Sequence, residues 1–215
     1  METIISVKEV TKEFKETTAL NHVSIEFEKG KIHGIIGRNG SGKTVLFKCI
    51  CGLMYPDSGE IWVEGKRIGK DVDMPENVGA IIEAPGFLPT YSGYNNLSFL
   101  ANINRKIGKK EITEALKTVG LGETGKKRVG KYSLGMRQRL GIAQAIMEDP
   151  DILVLDEPMN GLDNNGVEEI RKLLLEMKAR GKTILLASHN REDISILCDT
   201  VREMDKGAFL AASPI

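Results

Sequence analysis

Eight consecutive residues, Gly37-Arg38-Asn39-Gly40-Ser41-Gly42-Lys43-Thr44, concentrate groups that could bind an anion and a metal. An apolar run over residues 32–36 precedes them and an apolar stretch over 45–50 follows, so the local order reads strand, glycine-rich loop, helix. Glycines at 37, 40 and 42, with Asn39 and Ser41 between them, free backbone N–H groups to close around phosphate oxygens. The helix that follows adds the positive end of its dipole. Lys43 can reach β- and γ-phosphates, and the Thr44 hydroxyl can ligate Mg²⁺. A plain glycine-rich turn beside a surface lysine would not need the flanking strand and helix. The pattern points to a nucleoside triphosphate.

Two further apolar runs end in carboxylates. Residues 152–155 lead into Asp156-Glu157-Pro158, and a strand parallel to the first would deliver Asp156 next to a Mg²⁺ held by Thr44. Glu157, one step on, would then orient or deprotonate a water attacking the γ-phosphate. Without the phosphate loop this pair would read as a solvated strand end. Residues 78–82 lead in the same way into Glu83-Ala84-Pro85-Gly86, and Glu83 is either a solvated terminus or a second acid in the same chemistry.

These groups must be held by a core. Apolar alternation predicts strands near 4–10, 23–27, 32–36 and 60–63. The runs at 78–82, 152–155 and 183–187 lack alternation and read as strands covered on both faces, which means a parallel sheet. Between residues 93 and 148 the period becomes helical, with Leu97, Leu100 and Ala101, then Ile112, Ala115, Leu116 and Val119, then Leu140, Ala143 and Ile146. Residues 167–180 form another amphipathic helix, with Gly181 as its cap. The expectation is one α/β domain over 1–215, interrupted by a helical insertion at about 84–149.

The chain's 215 residues suffice for one sizeable core, and 30 basic against 30 acidic residues give no electrostatic case for nucleic acid or an anionic membrane. The longest apolar stretches are strand-sized, far short of the roughly 20 residues a membrane helix needs. The N-terminus carries early charges and no signal-peptide core. Cys49, Cys51 and Cys198 suit a reducing cytoplasm and read as buried small hydrophobes, since no second Cys or His pair stands at zinc spacing.

Other segments fall into a recognisable order. Tyr132-Ser133-Leu134-Gly135-Met136, followed by Arg137-Gln138-Arg139-Leu140, resembles the L-S-G-G-Q signature of ATP-binding-cassette proteins. Asn160-Gly161-Leu162-Asp163 looks like their D-loop, His189 stands in the place of their switch histidine, and Phe14 where they stack an aromatic on adenine. The resemblance spans nearly the whole chain. It implies a P-loop NTPase fold: a RecA-like core with an antiparallel β subdomain and an inserted helical signature subdomain. It further implies an ATPase using ATP and Mg²⁺ and working as a head-to-tail pair, either homodimer or heterodimer. ATP on the phosphate loop of one copy would be covered by Ser133, Gly135 and the Asp163 loop of the other. Leu134 in place of a glycine and Met136 in place of the usual glutamine depart from that signature and bear on how tightly the pair closes. His189 would contact the γ-phosphate.

In that family the position of Glu83 is usually a glutamine touching Mg²⁺ and the attacking water, and it opens the loop that meets a membrane partner. A carboxylate there keeps the task as a harder ligand. Together, E-A-P-G-F at this loop and Y-S-x-G-M at the signature resemble the ATPases of lantibiotic self-immunity and bacitracin-resistance exporters. That branch implies separate transmembrane permease subunits, a place on the inner face of the cell membrane, and Phe87, Leu88, Tyr91 and Tyr94 as the partner surface. A soluble cassette acting on ribosomes or DNA is the main rival, and it usually carries a second cassette, a coiled coil or a basic surface. An ordinary phosphate-loop kinase would have no use for the signature or His189.

Overall fold

The computed structural model describes residues 2–84, 86–124 and 127–210. In chain order its first half comprises β1 (Thr3–Phe14), β2 (Thr17–Glu28), β3 (Ile32–Ile36), α1 (Lys43–Ile50), β4 (Ser58–Val63), β5 (Lys66–Arg67), β6 (Val78–Ile81) and α2 (Gly93–Asn104). There follow α3 (Lys109–Thr118), α4 (Leu134–Ile146), β7 (Ile152–Asp156), α5 (Asn164–Ala179), β8 (Thr183–Ala187), α6 (Arg191–Leu197), β9 (Thr200–Asp205) and β10 (Ala208–Phe209). Strands β2-β1-β4-β5 make an antiparallel sheet. The second sheet runs β10-β9-β3-β8-β7-β6, parallel throughout except for β10.

The unalternating apolar runs are explained by two cores, one on each face of the parallel sheet. Leu153 and Leu155 of β7, with Ile184 and Leu186 of β8, pack with Leu140 of α4 and Leu174 of α5. Ile152, Val154, Leu185 and Ala187 point the other way, into a cluster with Leu46 and Phe47 of α1 and Val7 and Phe27 of the antiparallel sheet. Every residue of β7 and β8 is buried. The α/β P-loop architecture expected from the sequence is present, and α2, α3 and α4 all lie between β6 and β7 in the chain.

Several boundaries differ from the expectation. β1 continues to Phe14 through register shifts, with Glu9 at φ 48°. The strand expected over 78–82 ends at Ile81. The long amphipathic helix starts earlier, at Asn164, because the Asp163 carboxylate accepts from the Gly166 N–H at 2.8 Å and caps it. Gly181 lies just past its end at φ 84°. α6, β9 and β10 had no sequence signal: α6 has only seven residues, and β9 (TVREMD) is mostly charged or half-exposed. Cys49 and Cys51 are buried and Cys198 half-buried. Burial pushes these thiols up, to about 11 for Cys49 and about 12 for the other two. Among the described residues no helix is long and apolar enough to cross a membrane.

His33 secures β3, the strand that leads into the phosphate loop. It is 4% exposed, with Nδ1 2.7 Å from the Thr200 hydroxyl and Nε2 2.8 Å from the Glu28 carbonyl. A neutral ring donating from Nε2 and accepting at Nδ1 satisfies both partners. Desolvation outweighs the Glu28 hydrogen bond and lowers the imidazole pKa. Between the lowered folded value and the ordinary value of about 6.5, the unfolded chain binds a proton that the folded chain refuses. The stabilisation is therefore complete above about pH 6.5 and lost as pH falls through the folded pKa. Urea midpoints should fall from pH 7.5 to pH 5.5, and His33→Gln, which keeps a donor and an acceptor, should flatten that slope. An unchanged slope in the variant would assign the pH dependence elsewhere.

Candidate active site

The parallel register carries the chemistry to one edge of the sheet. β3 pairs with β8, and β8 with β7 through Asp156 opposite Ala187, so the loops after these strands emerge together. The loop after β3 folds tightly, and Gly42 sits at φ 109°, where a Cβ would lie 2.5 Å from the Ala19 carbonyl oxygen. Only glycine fits there, which lets the loop turn tightly against the Ala19 strand into the start of α1.

Lys43 is buried and donates from Nζ to the carbonyls of Gly37 and Arg38, at 2.7 and 3.2 Å. Among the described residues the buried Ser41 hydroxyl has no hydrogen-bond partner, and nothing stands within 4 Å of a Cβ placed on Gly40. An orphaned donor beside an open backbone loop is what a phosphate would complete. Thr44 Oγ1 donates to Asp156 Oδ2 at 2.6 Å. Gly40, Ser41, Gly42, Lys43, Thr44, Asn39, Asp156, Glu157 and Phe14 all line one cavity of about 450 Å³. Phe14 is 43% exposed at its mouth, with Lys12 Nζ 5.7 Å over the ring. Lys12 is in turn paired with Asp57 at 2.8 Å.

Glu157 leaves β7 at φ 52°, an uncommon left-handed conformation for a residue with a side chain. Its N–H donates to the Ala187 carbonyl at 2.9 Å, and its Oε2 lies 2.8 Å from His189 Nδ1. The loop carrying His189 is itself braced: the buried Ser188 hydroxyl donates to Asp193 Oδ2 at 3.3 Å, and Arg171 Nη2 meets Asp193 Oδ1 at 2.6 Å. No pattern in the residue order marks Lys12, Asp57, Arg171 or Asp193, since single charged residues in a chain this charged do not announce their partners.

Glu83 is placed differently. It sits at φ 60° after β6, and its Oε1 pairs with Lys48 Nζ at 2.8 Å, one helical turn beyond Thr44 on α1. It does not line the phosphate cavity. Pro85, in the same loop, lies outside the described residues.

Ser133, Gly135 and Asp163 also stand away from this cavity. Ser133 caps α4, its Oγ accepting from the Met136 N–H at 3.2 Å, and Asp163 caps α5. Gly135 packs so that a Cβ would come 2.9 Å from the Gly161 carbonyl oxygen. Of the expected partner surface, Phe87 and Tyr94 pack against the core, whereas Leu88 and Tyr91 are 50% and 44% exposed.

Comparison with known proteins agrees with this geometry. The ABC transporter family matches residues 20–160. YybJ of Bacillus subtilis (strain 168), described as an uncharacterized ABC transporter ATP-binding protein, is 46% identical over 204 residues, 95% of this chain and 94% of that protein. The bacitracin transport ATP-binding protein BcrA of Enterococcus faecalis is 41% identical over 209 residues, 96% of this chain and 68% of its own length. Among solved structures, cbiO1 from Clostridium perfringens, part of the ABC transporter complex cbiONQ, superposes with a TM-score of 0.82 at 32% identity, covering 98% of this chain and 88% of that one. The phosphate loop, the acid-ended strand beside it and these matches make this chain a member of the ABC transporter family, an ATP-binding and ATP-hydrolysing subunit.

Proposed function

We propose that this chain energises export of a peptide antibiotic, of the bacitracin or lantibiotic type, as one of two cassettes docked on separate membrane-spanning subunits at the inner face of the cell membrane. The observation that carries the ATPase half is the convergence of the phosphate loop, Asp156 and Glu157 on one cavity, with His189 outside its lining but 2.8 Å from the Glu157 carboxylate. The resemblance to BcrA supports the substrate class.

In this reading the loop N–H groups, Ser41 and Lys43 hold the triphosphate, and Phe14 stacks on the base. Thr44 and Asp156 offer hard oxygen donors in contact with one another, a set that fits Mg²⁺. Bound there, the ion would offset phosphate charge. Glu157 takes a proton from water as its oxygen attacks the γ-phosphorus, and the bond to the bridging oxygen of ADP breaks, releasing phosphate. His189 holds the Glu157 carboxylate through Nδ1 and leaves its other nitrogen for the γ-phosphate.

Ser133 and Gly135 cannot serve the cavity of their own chain, being outside its lining. A second copy, or a different cassette, facing head-to-tail would bring them over the exposed phosphate. The partner surface centres on a groove of about 510 Å³ lined by Leu53, Met74, Leu88 and Phe99, each at least 44% exposed. Exposed apolar side chains clustered along a groove favour an apolar protein segment over water.

Three tests follow from this reading. Glu157→Gln should lower kcat by about a hundredfold or more and trap an ATP-dependent dimer visible by size-exclusion chromatography. A monomer that phosphorylates an added acceptor would instead mark a kinase. Glu83→Gln should leave hydrolysis largely intact and Glu83→Ala should depress it; equal rates for Ala and the unaltered chain would leave Glu83 with Lys48 alone. Purification of the tagged chain from mild detergent extracts of its host should recover one or two multi-span subunits. Recovery with ribosomes or DNA would favour a soluble cassette and overturn the exporter.

A further inference from the structure

We propose that Gln138 is a positioning residue for hydrolysis, its side-chain amide holding the backbone of Glu157 in the conformation that aims the carboxylate into the phosphate cavity. Gln138 lies on α4, and its Nε2 donates to two consecutive carbonyls, those of Glu157 at 3.2 Å and Pro158 at 3.0 Å. Both N–H groups of one amide are thereby committed to the acid loop.

Glu157 needs such a hold. Its φ of 52° lies outside the region that residues with a Cβ prefer, and such backbone persists only where its surroundings over-determine it. On the β8 side the determinant is the Ala187 carbonyl, which accepts the Glu157 N–H at 2.9 Å. On the far side the Glu157 carbonyl accepts from the Asn160 N–H at 3.2 Å and from Gln138. The next residue is a proline, which has no N–H to contribute. Among the described hydrogen bonds Gln138 alone ties this carbonyl pair to another element. Without it, relaxation of φ toward ordinary values would rotate the Cα–Cβ bond and carry the carboxylate away from the cavity and from His189.

Gln138 also stands five residues after Ser133, on the same helix. The helix end expected to meet the opposite nucleotide is thus bonded to the residue expected to hydrolyse this chain's own. Seating of one nucleotide against α4 would be felt at the other through this amide.

The inference rests on Glu157 as the general base, and its test separates the two ideas. Gln138→Met keeps the length and removes both donors. In the full chain with Mg²⁺ and ATP, kcat should fall about ten- to a hundredfold, as for a catalytic group displaced by about 1 Å, with KM and the thermal midpoint nearly unchanged. Gln138→Lys restores a donor and should recover part of the loss. Added to Glu157→Gln, Gln138→Met should change residual hydrolysis by less than about twofold, because no base is left to position. A Gln138→Met chain with the original kcat, a rise in KM alone, or full additivity with Glu157→Gln would each overturn the proposal. Undiminished hydrolysis by Glu157→Gln itself would remove the general base and this inference with it, whereas an inactive Glu157→Gln beside a fully active Gln138→Met sinks Gln138 only.

Discussion

A single hydrogen bond, 2.6 Å from the Thr44 hydroxyl to the Asp156 carboxylate, joins the first turn of α1 to the end of β7, 112 residues apart in the chain. The rest of the site is built outward from it. The bond exists because β3, β8 and β7 are parallel and in register, so each strand ends at the same edge. That arrangement needs a sheet covered on both faces, since parallel strands are stable only when helices or another sheet shield them. The two apolar clusters supply the cover. Chemistry at one edge therefore depends on burial throughout the sheet, and Asp156, 9% exposed, faces the Thr44 hydroxyl in place of bulk water.

Strand ends are also where the fold stores strain. Glu157 and Glu83 both leave their strands in the left-handed region, at φ 52° and 60°. Such conformations cost about 1–3 kcal/mol each, and both fall on carboxylates that directly or closely follow a strand of the parallel sheet. β7 is completely buried and cannot shift to relieve Glu157, whereas β6 is the sheet's edge strand and half-buried. The difference matches their partners. Glu157 is held by backbone, amide and imidazole, and Glu83 by one ion pair whose carboxylate is 63% exposed. A surface pair of that kind contributes little to stability, so Glu83 can exchange Lys48 for another partner at small cost.

Much of this was legible in the residue order, for identifiable reasons. The phosphate loop and acid pair were readable because their chemistry is local: glycines, lysine, hydroxyl and carboxylates adjoin the strands that carry them. The parallel sheet was readable because burial on both faces removes the alternation in residues 152–155 and 183–187. Left-handed φ at Glu157 was not, because its cause is tertiary, lying in Ala187 and Gln138. Nor was Glu83's partner, since Lys48 sits 35 residues earlier on a helix that reads only as apolar. α6 and β9 escaped because seven helical residues carry too few periods and an exposed, charged strand near the sheet's end carries no apolar pattern. Tyr94, expected on the partner loop, lies on the first turn of α2, and both it and Phe87 are partly buried against the core.

The substitution at Leu134 illustrates how a departure from pattern is absorbed. A leucine where glycine is usual adds bulk at the first turn of α4, and the structure meets it with Gly161, whose missing side chain leaves room: a Cβ there would be 2.6 Å from Leu134 atoms. Gly135 rests on the same segment, against the Gly161 carbonyl. The starts of α4 and α5 are therefore packed on one another, and Ser133 and Asp163, their caps, are held in a fixed relation. Leu134 is still 62% exposed, beside Ser133 and outside any core of its own chain. An apolar side chain beside a polar cap loses nothing by being covered, and covering it would bury apolar area at about 25 cal/mol per Å². Where glycine would lend closure only hydrogen bonds, leucine adds a hydrophobic term. In the proposed head-to-tail pair, that term would act toward closure of the face that carries Ser133.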